Sequence, residues 1–265
     1  MTPLGLALIA TSAAAVFLAA FWAYSRAKDN AGWVDVAWSY SFTVILAVLL
    51  TLGSAPIARK AFLAVMVGVW SLRLGTHLAV RVAGKHPEED PRYAPLRALA
   101  PRRPWTMFFF FYQSQALAAG LLAIPFYLVA SNSAPAPAPL EVVALLLWVL
   151  AMGGEALADA QLAAFRKAPG NRGKVCDAGL WRYSRHPNYF FEWLVWVSFA
   201  LLALASPGSW PALLSPVLMY FLLTRVTGIP PAESQSLRSR GDAYRAYQKR
   251  TSAFFLLPPR RVPDA

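Results

Sequence analysis

The 265-residue chain is 57% hydrophobic and only 14% charged, with ten tryptophans and a formal net charge of +12. That is too apolar for an ordinary soluble domain and points to an integral membrane protein. The basic surplus accompanies no compact basic fold, which argues against a nucleic-acid partner, and the single cysteine, Cys176, leaves no internal disulfide and no Cys-x-x-Cys metal site.

Crossing a hydrocarbon core of roughly 30 Å takes about 20 helical residues. Seven apolar runs qualify, near 5–25, 32–53, 62–80, 106–130, 140–165, 188–205 and 208–226. The first has no basic residue ahead of it and is long enough to span, so it reads as a transmembrane helix and not a cleaved signal peptide. The second opens on Gly32-Trp33-Val34-Asp35-Val36-Ala37-Trp38-Ser39-Tyr40, one turn of which carries a carboxylate. The third carries Arg73, His77 and Arg81 at helical spacing, a single basic stripe. A charge-free Ala/Pro linker, Ser131 to Pro139, separates the fourth run from the fifth. The fifth holds Glu155 and Asp159, four apart and therefore on one helix face, with Arg166 at its exit. Pro187 suits the first turn of the sixth, and Ser206-Pro207-Gly208 reads as a tight turn before the seventh. Beyond it, Ser234 to Lys249 is predicted to be a short amphipathic helix that Pro258-Pro259 would end.

Lysine and arginine resist translocation, so their distribution sets the orientation. Two follow the first run, six the third, six the fifth, and eight lie from Arg225 onward, against only Arg59 and Lys60 on the opposite side. The expectation is an all-α integral membrane protein of seven transmembrane helices, N-terminus outside and C-terminus cytoplasmic, with a cavity open to the cytosol. No internal repeat supports a transporter built from inverted halves.

Charged groups at bilayer depth are costly and mark functional sites by default. Asp35, Glu155, Asp159 and Glu192 qualify. Glu155 and Asp159 could instead salt-bridge Arg73 and Arg81. Asp35, desolvated among tryptophans, would keep a proton to donate near neutrality, or could be a helix cap or arginine partner. His77 has no partner at metal spacing, and no metal is expected. The run Arg182-Tyr183-Ser184-Arg185-His186-Pro187-Asn188-Tyr189 joins cations to a helix start, which suits phosphates or lipid headgroups.

The stretch Gly179 to Glu192, together with Gly32 to Trp38 and Arg238 to Phe255, resembles the steroid 5-alpha-reductase superfamily in its bacterial branch. The resemblance covers most of the chain and implies one seven-helix reductase domain over 1–265, with substrate-side helices in 1–135 and an NADPH-binding half in 136–265. It implies reduction by NADPH of the carbon–carbon double bond of an enone lipid, most simply a 3-oxo-delta-4-steroid to the 5-alpha product. Asn188 and Glu192 match the family's Asn-x-x-x-Glu pattern at the nicotinamide, and Asp159 and Arg166 resemble ribose and phosphate ligands. Glu155 stands where animal members carry asparagine. Arg182, Tyr183, His186, Tyr189, Tyr244, Tyr247, Lys249 and Arg250 resemble the rest of the cofactor site. Animal members use a glutamate in the second span and a tyrosine in the third; the third run here has no tyrosine, so Asp35, with Tyr40 as partner, is the expected catalytic acid.

Isoprenylcysteine-type methyltransferases share the Arg-His-Pro-x-Tyr and trailing Glu pattern and are the alternative resemblance, implying S-adenosylmethionine. The arginine surplus favours a phosphate-bearing cofactor. The expected partners are the steroid or other enone lipid and membrane lipid, with no obligate protein partner and, for a bacterial chain, an inner-membrane location.

Overall fold

The computed structural model describes residues 1–260; Arg261, counted above with the basic tail, lies outside them. Among the described residues the chain is helical, without β-strands beyond an isolated bridge between Ser184 and Ser252. The long helices are α1 (Pro3–Ala27), α2 (Trp33–Leu52) and α3 (Ile57–Lys85), then after a short α4 (Ala94–Leu99) come α5 (Pro104–Leu122), α6 (Ile124–Ser131), α7 (Pro139–Lys167) and α8 (Pro187–Leu204). The chain closes with α9 (Leu214–Phe221) and α10 (Ile229–Arg250).

Six helical segments are long and apolar enough to cross a membrane, or seven if the bent pair α5–α6 counts as one. That pair turns by 48° at Ala123. Pro125 sits in the first turn of α6, where its ring and missing N–H cannot continue the preceding helix. The last span is also irregular: a 3₁₀ turn at Trp210–Leu213 precedes α9, and a π segment, Leu222–Val226, follows it. The expected tail helix is longer than 234–249, and Gly241 breaks it at φ +48°. Outward side chains such as Val16, Ile57, Leu146 and Val217 are large, apolar and exposed, a surface suited to acyl chains and not to water. These are the features of a multi-pass membrane protein.

The described residues form two compact units, Met1–Val142 with Leu201–Ser215, and Val143–Ala200 with the residues from Pro216 on. In the first, Leu18, Val34, Ala37, Tyr93, Phe108 and Tyr112 make a buried core across α1, α2, α5 and the turn Pro91–Tyr93. The turn into α2 is tied down by polar contacts: Asn30 Oδ1 accepts from Gly32 N–H at 2.9 Å and Glu89 accepts from Ala31 N–H at 2.9 Å. Glu89 in turn takes Arg97 Nε at 2.5 Å. At the other end of these helices Arg59, 1% exposed, pairs with the buried Glu141 and donates to the carbonyls of Asn132 and Ala134 at 2.8 and 2.9 Å. The residue counted from sequence as a loop charge is therefore an internal clamp on the Ala/Pro linker.

In the second unit, the segment before α8 is stitched to α10 and the residues after it. Arg185 N–H donates to Ser252 O at 2.8 Å, Leu257 N–H to Tyr183 O at 3.0 Å, and Ser184 Oγ to Phe254 O at 2.8 Å. Arg185 Nη1 donates to Gln248 O and Thr251 O at 3.1 and 2.6 Å, satisfying carbonyls that the end of α10 would otherwise leave open.

Candidate functional site

The first unit presents a charged cluster at the start of α2. Asp35 Oδ2 accepts from Arg92 Nη2 at 2.8 Å and lies 3.5 Å from Arg81 Nη2, while Asp35 Oδ1 accepts from the Tyr93 hydroxyl at 2.9 Å. The expected surroundings of Asp35 are corrected here. Trp33 packs edge-on to Tyr24, and Trp38 packs on Phe42 and Trp70, so the carboxylate meets guanidinium and phenol donors, and the arginine-partner reading is the one observed. Tyr40 is not its partner either: that hydroxyl bonds Thr76 Oγ1 at 3.0 Å, and its ring lies over Gly75, where any Cβ would clash. Arg81 is drawn to Asp35 as well.

The group in this cluster that keeps a neutral O–H donor is Tyr93, which the sequence reading passed over. Burial, reinforced by the Asp35 charge, pushes its phenol well above the usual value, so it stays protonated at neutral pH. Tyr93 lies in a 3₁₀ turn, Pro91–Tyr93, that Asp90 caps by accepting from Arg92 N–H at 3.0 Å. A capping aspartate ahead of a proline was the available signal.

In the second unit, α7 and α8 touch where Gly154 faces Phe191; an added Cβ would overlap the ring. This approach brings Asn188 to Asp159, whose Oδ1 accepts from Asn188 Nδ2 at 3.3 Å. The carboxylate fixes the amide orientation, because the reverse would face oxygen to oxygen. Asn188 Oδ1 is then a buried acceptor with no donor among the described residues. Glu155 is buried one turn before Asp159. Glu192 Oε1 accepts from Trp196 Nε1 at 3.0 Å, one turn along α8, which orients the carboxylate.

The His186 ring stacks on Tyr189 at 5.3 Å and its Nε2 lies 3.4 Å from Glu233 Oε1. Burial lowers the imidazole's proton affinity more than Glu233 raises it, so its pKa falls below the ordinary 6.5. Glu233 is a hub absent from the sequence reading: it also takes Arg185 Nε at 2.6 Å and Gln248 Nε2 at 2.9 Å, with the Tyr244 hydroxyl at 3.5 Å. Tyr247 is buried and donates to the carbonyls of Trp181 and Ser184. Its hydroxyl therefore holds the loop, which corrects the expected direct cofactor contact. Arg250 pairs with Asp177. Arg166, Arg182 and Lys249 are exposed and make no ion pair among the described residues, and Tyr183 is also exposed. Gly179 permits the turn into this segment: its φ is +59°, and a Cβ would strike the Gln161 amide, which accepts from Leu180 N–H at 2.9 Å. No three metal-ligating side chains converge among the described residues.

These two polar clusters can do different chemistry. One offers a protonated phenol held by charged neighbours, and the other a buried amide acceptor flanked by oriented carboxylates and exposed cations.

The model of the family described as "Protein of unknown function (DUF1295)" matches residues 21–251. An uncharacterized protein of Schizosaccharomyces pombe is 28% identical over 263 residues, covering 88% of this chain and 75% of that one. No solved structure matches the chain.

Proposed function

The chain belongs to the DUF1295 family, and from that premise we propose that it is a membrane reductase that uses NADPH to reduce the carbon–carbon double bond of an enone lipid, a 3-oxo-delta-4-steroid being the simplest substrate. The observation that carries this reading is Asn188. A buried carbonyl oxygen without a donor costs about 1–3 kcal/mol, and Asp159 keeps that oxygen facing away from itself. A primary carboxamide supplies the missing N–H, and the nicotinamide ring carries one. The residues present therefore fit the cofactor: Asn188 and Glu192 would take the carboxamide, Asp159 and Glu155 would accept from ribose hydroxyls, and Arg166, Arg182 and Lys249 would meet the phosphates. When bound, the reduced nicotinamide would supply a hydride to the beta carbon, and the alpha carbon would take its proton from water.

The carbonyl of the enone gains negative charge as its double bond is reduced, and a donor aimed at that oxygen lowers the barrier. Tyr93 fills this role better than Asp35 or Tyr40. It is the donor that the first unit offers: its O–H is held by Asp35 Oδ1, and Asp35 also holds Arg92, whose guanidinium lies 5.7 Å from the Tyr93 ring centroid. Asp35 is thereby a positioning residue and Tyr40 a packing one.

The test is turnover. Detergent-purified protein given a 4-ene-3-one steroid is expected to oxidise NADPH and yield the ring-saturated ketone. No oxidation with any enone lipid, alongside methyl transfer from S-adenosylmethionine to a lipid thiol, would favour the methyltransferase resemblance instead.

A further inference from the structure

A concavity of about 420 Å³ in the first unit, where α1 ends and α5 begins, is lined by Trp22, Arg26, Arg102, Arg103, Trp105 and Thr106. Its size falls within the roughly 300–1,000 Å³ of small-molecule sites. Its walls are fixed: Trp22 Nε1 donates to Trp105 O at 2.8 Å, and the Arg26 guanidinium lies 5.8 Å over the Trp22 ring.

The charge in it is uncompensated. Elsewhere in this unit Arg59, Arg81, Arg92 and Arg97 each meet a carboxylate. Arg26, Arg102 and Arg103 meet none among the described residues. All three are exposed and line one hollow, and their planar N–H forks match the oxygens of a phosphate.

What adjoins the hollow identifies the source of that phosphate. Thr106, on its lining, begins an outward face of α5 that carries Phe110, then the exposed Ser114, then Leu117 and Leu121, the three apolar side chains being 65%, 64% and 58% exposed. Tryptophans beside arginines at the end of an apolar helix are the residues of a membrane interface. A headgroup in the hollow and an acyl chain on the stripe would satisfy both surfaces together, whereas a free phosphate would leave the stripe without a role.

We propose that the hollow lined by Trp22, Arg26, Arg102, Arg103 and Trp105 binds the phosphodiester headgroup of an anionic phospholipid, whose acyl chain lies along Phe110, Leu117 and Leu121. Neither the NADPH site nor the reaction is needed for it.

The test uses full-length protein in detergent, titrated with dioctanoyl-phosphatidylglycerol, dioctanoyl-phosphatidylcholine or inorganic phosphate and read by native mass spectrometry. The wild type is expected to bind the anionic lipid at least about tenfold more tightly than the zwitterionic one, and inorganic phosphate more weakly than either. The triple variant R26Q/R102Q/R103Q should bring the two lipids within about twofold. The charge-matched control K167Q/R172Q/K174Q should keep the preference. If the first triple variant does not fold, R102Q and R103Q singly should each weaken the preference about threefold. Equal binding of the two lipids by the wild type, a preference kept by the pocket variants, a loss shared by the control, or phosphate competing as strongly as the lipid would each overturn the proposal.

Discussion

At the scale of single residues the proposed chemistry turns on Tyr93. It is buried, its hydroxyl donates to Asp35 at 2.9 Å, and burial keeps it protonated. Tyr93→Phe is expected to cut enone turnover by roughly 100- to 1,000-fold, the loss typical of removing one donor to developing oxyanion charge, with an unchanged KM for NADPH. Steady-state kinetics checks this, and turnover within a factor of two of wild type would remove Tyr93 from the mechanism. The sequence marked Asp35 as an intramembrane carboxylate but missed its partners, because Arg92 and Tyr93 lie more than fifty residues on, in a turn with no periodic signal. The same holds for Glu233, whose four polar partners come from distant positions.

At the scale of elements, the apolar runs were legible because length and hydropathy alone define a span. The breaks were not: Pro125 was visible, but the 48° bend needs coordinates, and nothing in Leu222–Val226 signals a π segment. Close helix approach was equally hidden, since Gly154 acquires meaning only opposite Phe191. Gly154→Ala is expected to destabilise the α7–α8 pair by about 1–3 kcal/mol, the usual cost of overpacking, measured as a lower Tm in detergent. The segment joining α8 to α10 should respond to pH through His186, which faces Glu233, Arg185 and Tyr189. Its folded pKa lies below the ordinary 6.5, so the unfolded chain binds more protons near that pH. The stabilisation is complete above about pH 6.5 and is lost as pH falls through the lower folded value. Wild-type Tm should therefore drop more between about pH 7.5 and pH 5.5 than that of His186→Gln. Parallel curves would contradict the assignment.

At the scale of the whole molecule, the +12 charge is spent unevenly. Arg59 and Arg185 are internal clamps and Arg81, Arg92 and Arg97 are ion-paired, whereas Arg166, Arg182 and Lys249 are among the exposed cations without an ion pair in the described residues, and these are the ones proposed to meet a polyanionic cofactor. The two resemblances make different demands on those cations, because NADPH carries a pyrophosphate and a 2′-phosphate and S-adenosylmethionine carries none. The most direct measurement is the dissociation constant of each for the purified full chain. The account expects NADPH to bind more tightly than NADH, with an affinity that weakens as salt screens the arginines, and S-adenosylmethionine to bind neither tightly nor in competition. Tight binding of S-adenosylmethionine with none of NADPH would contradict it.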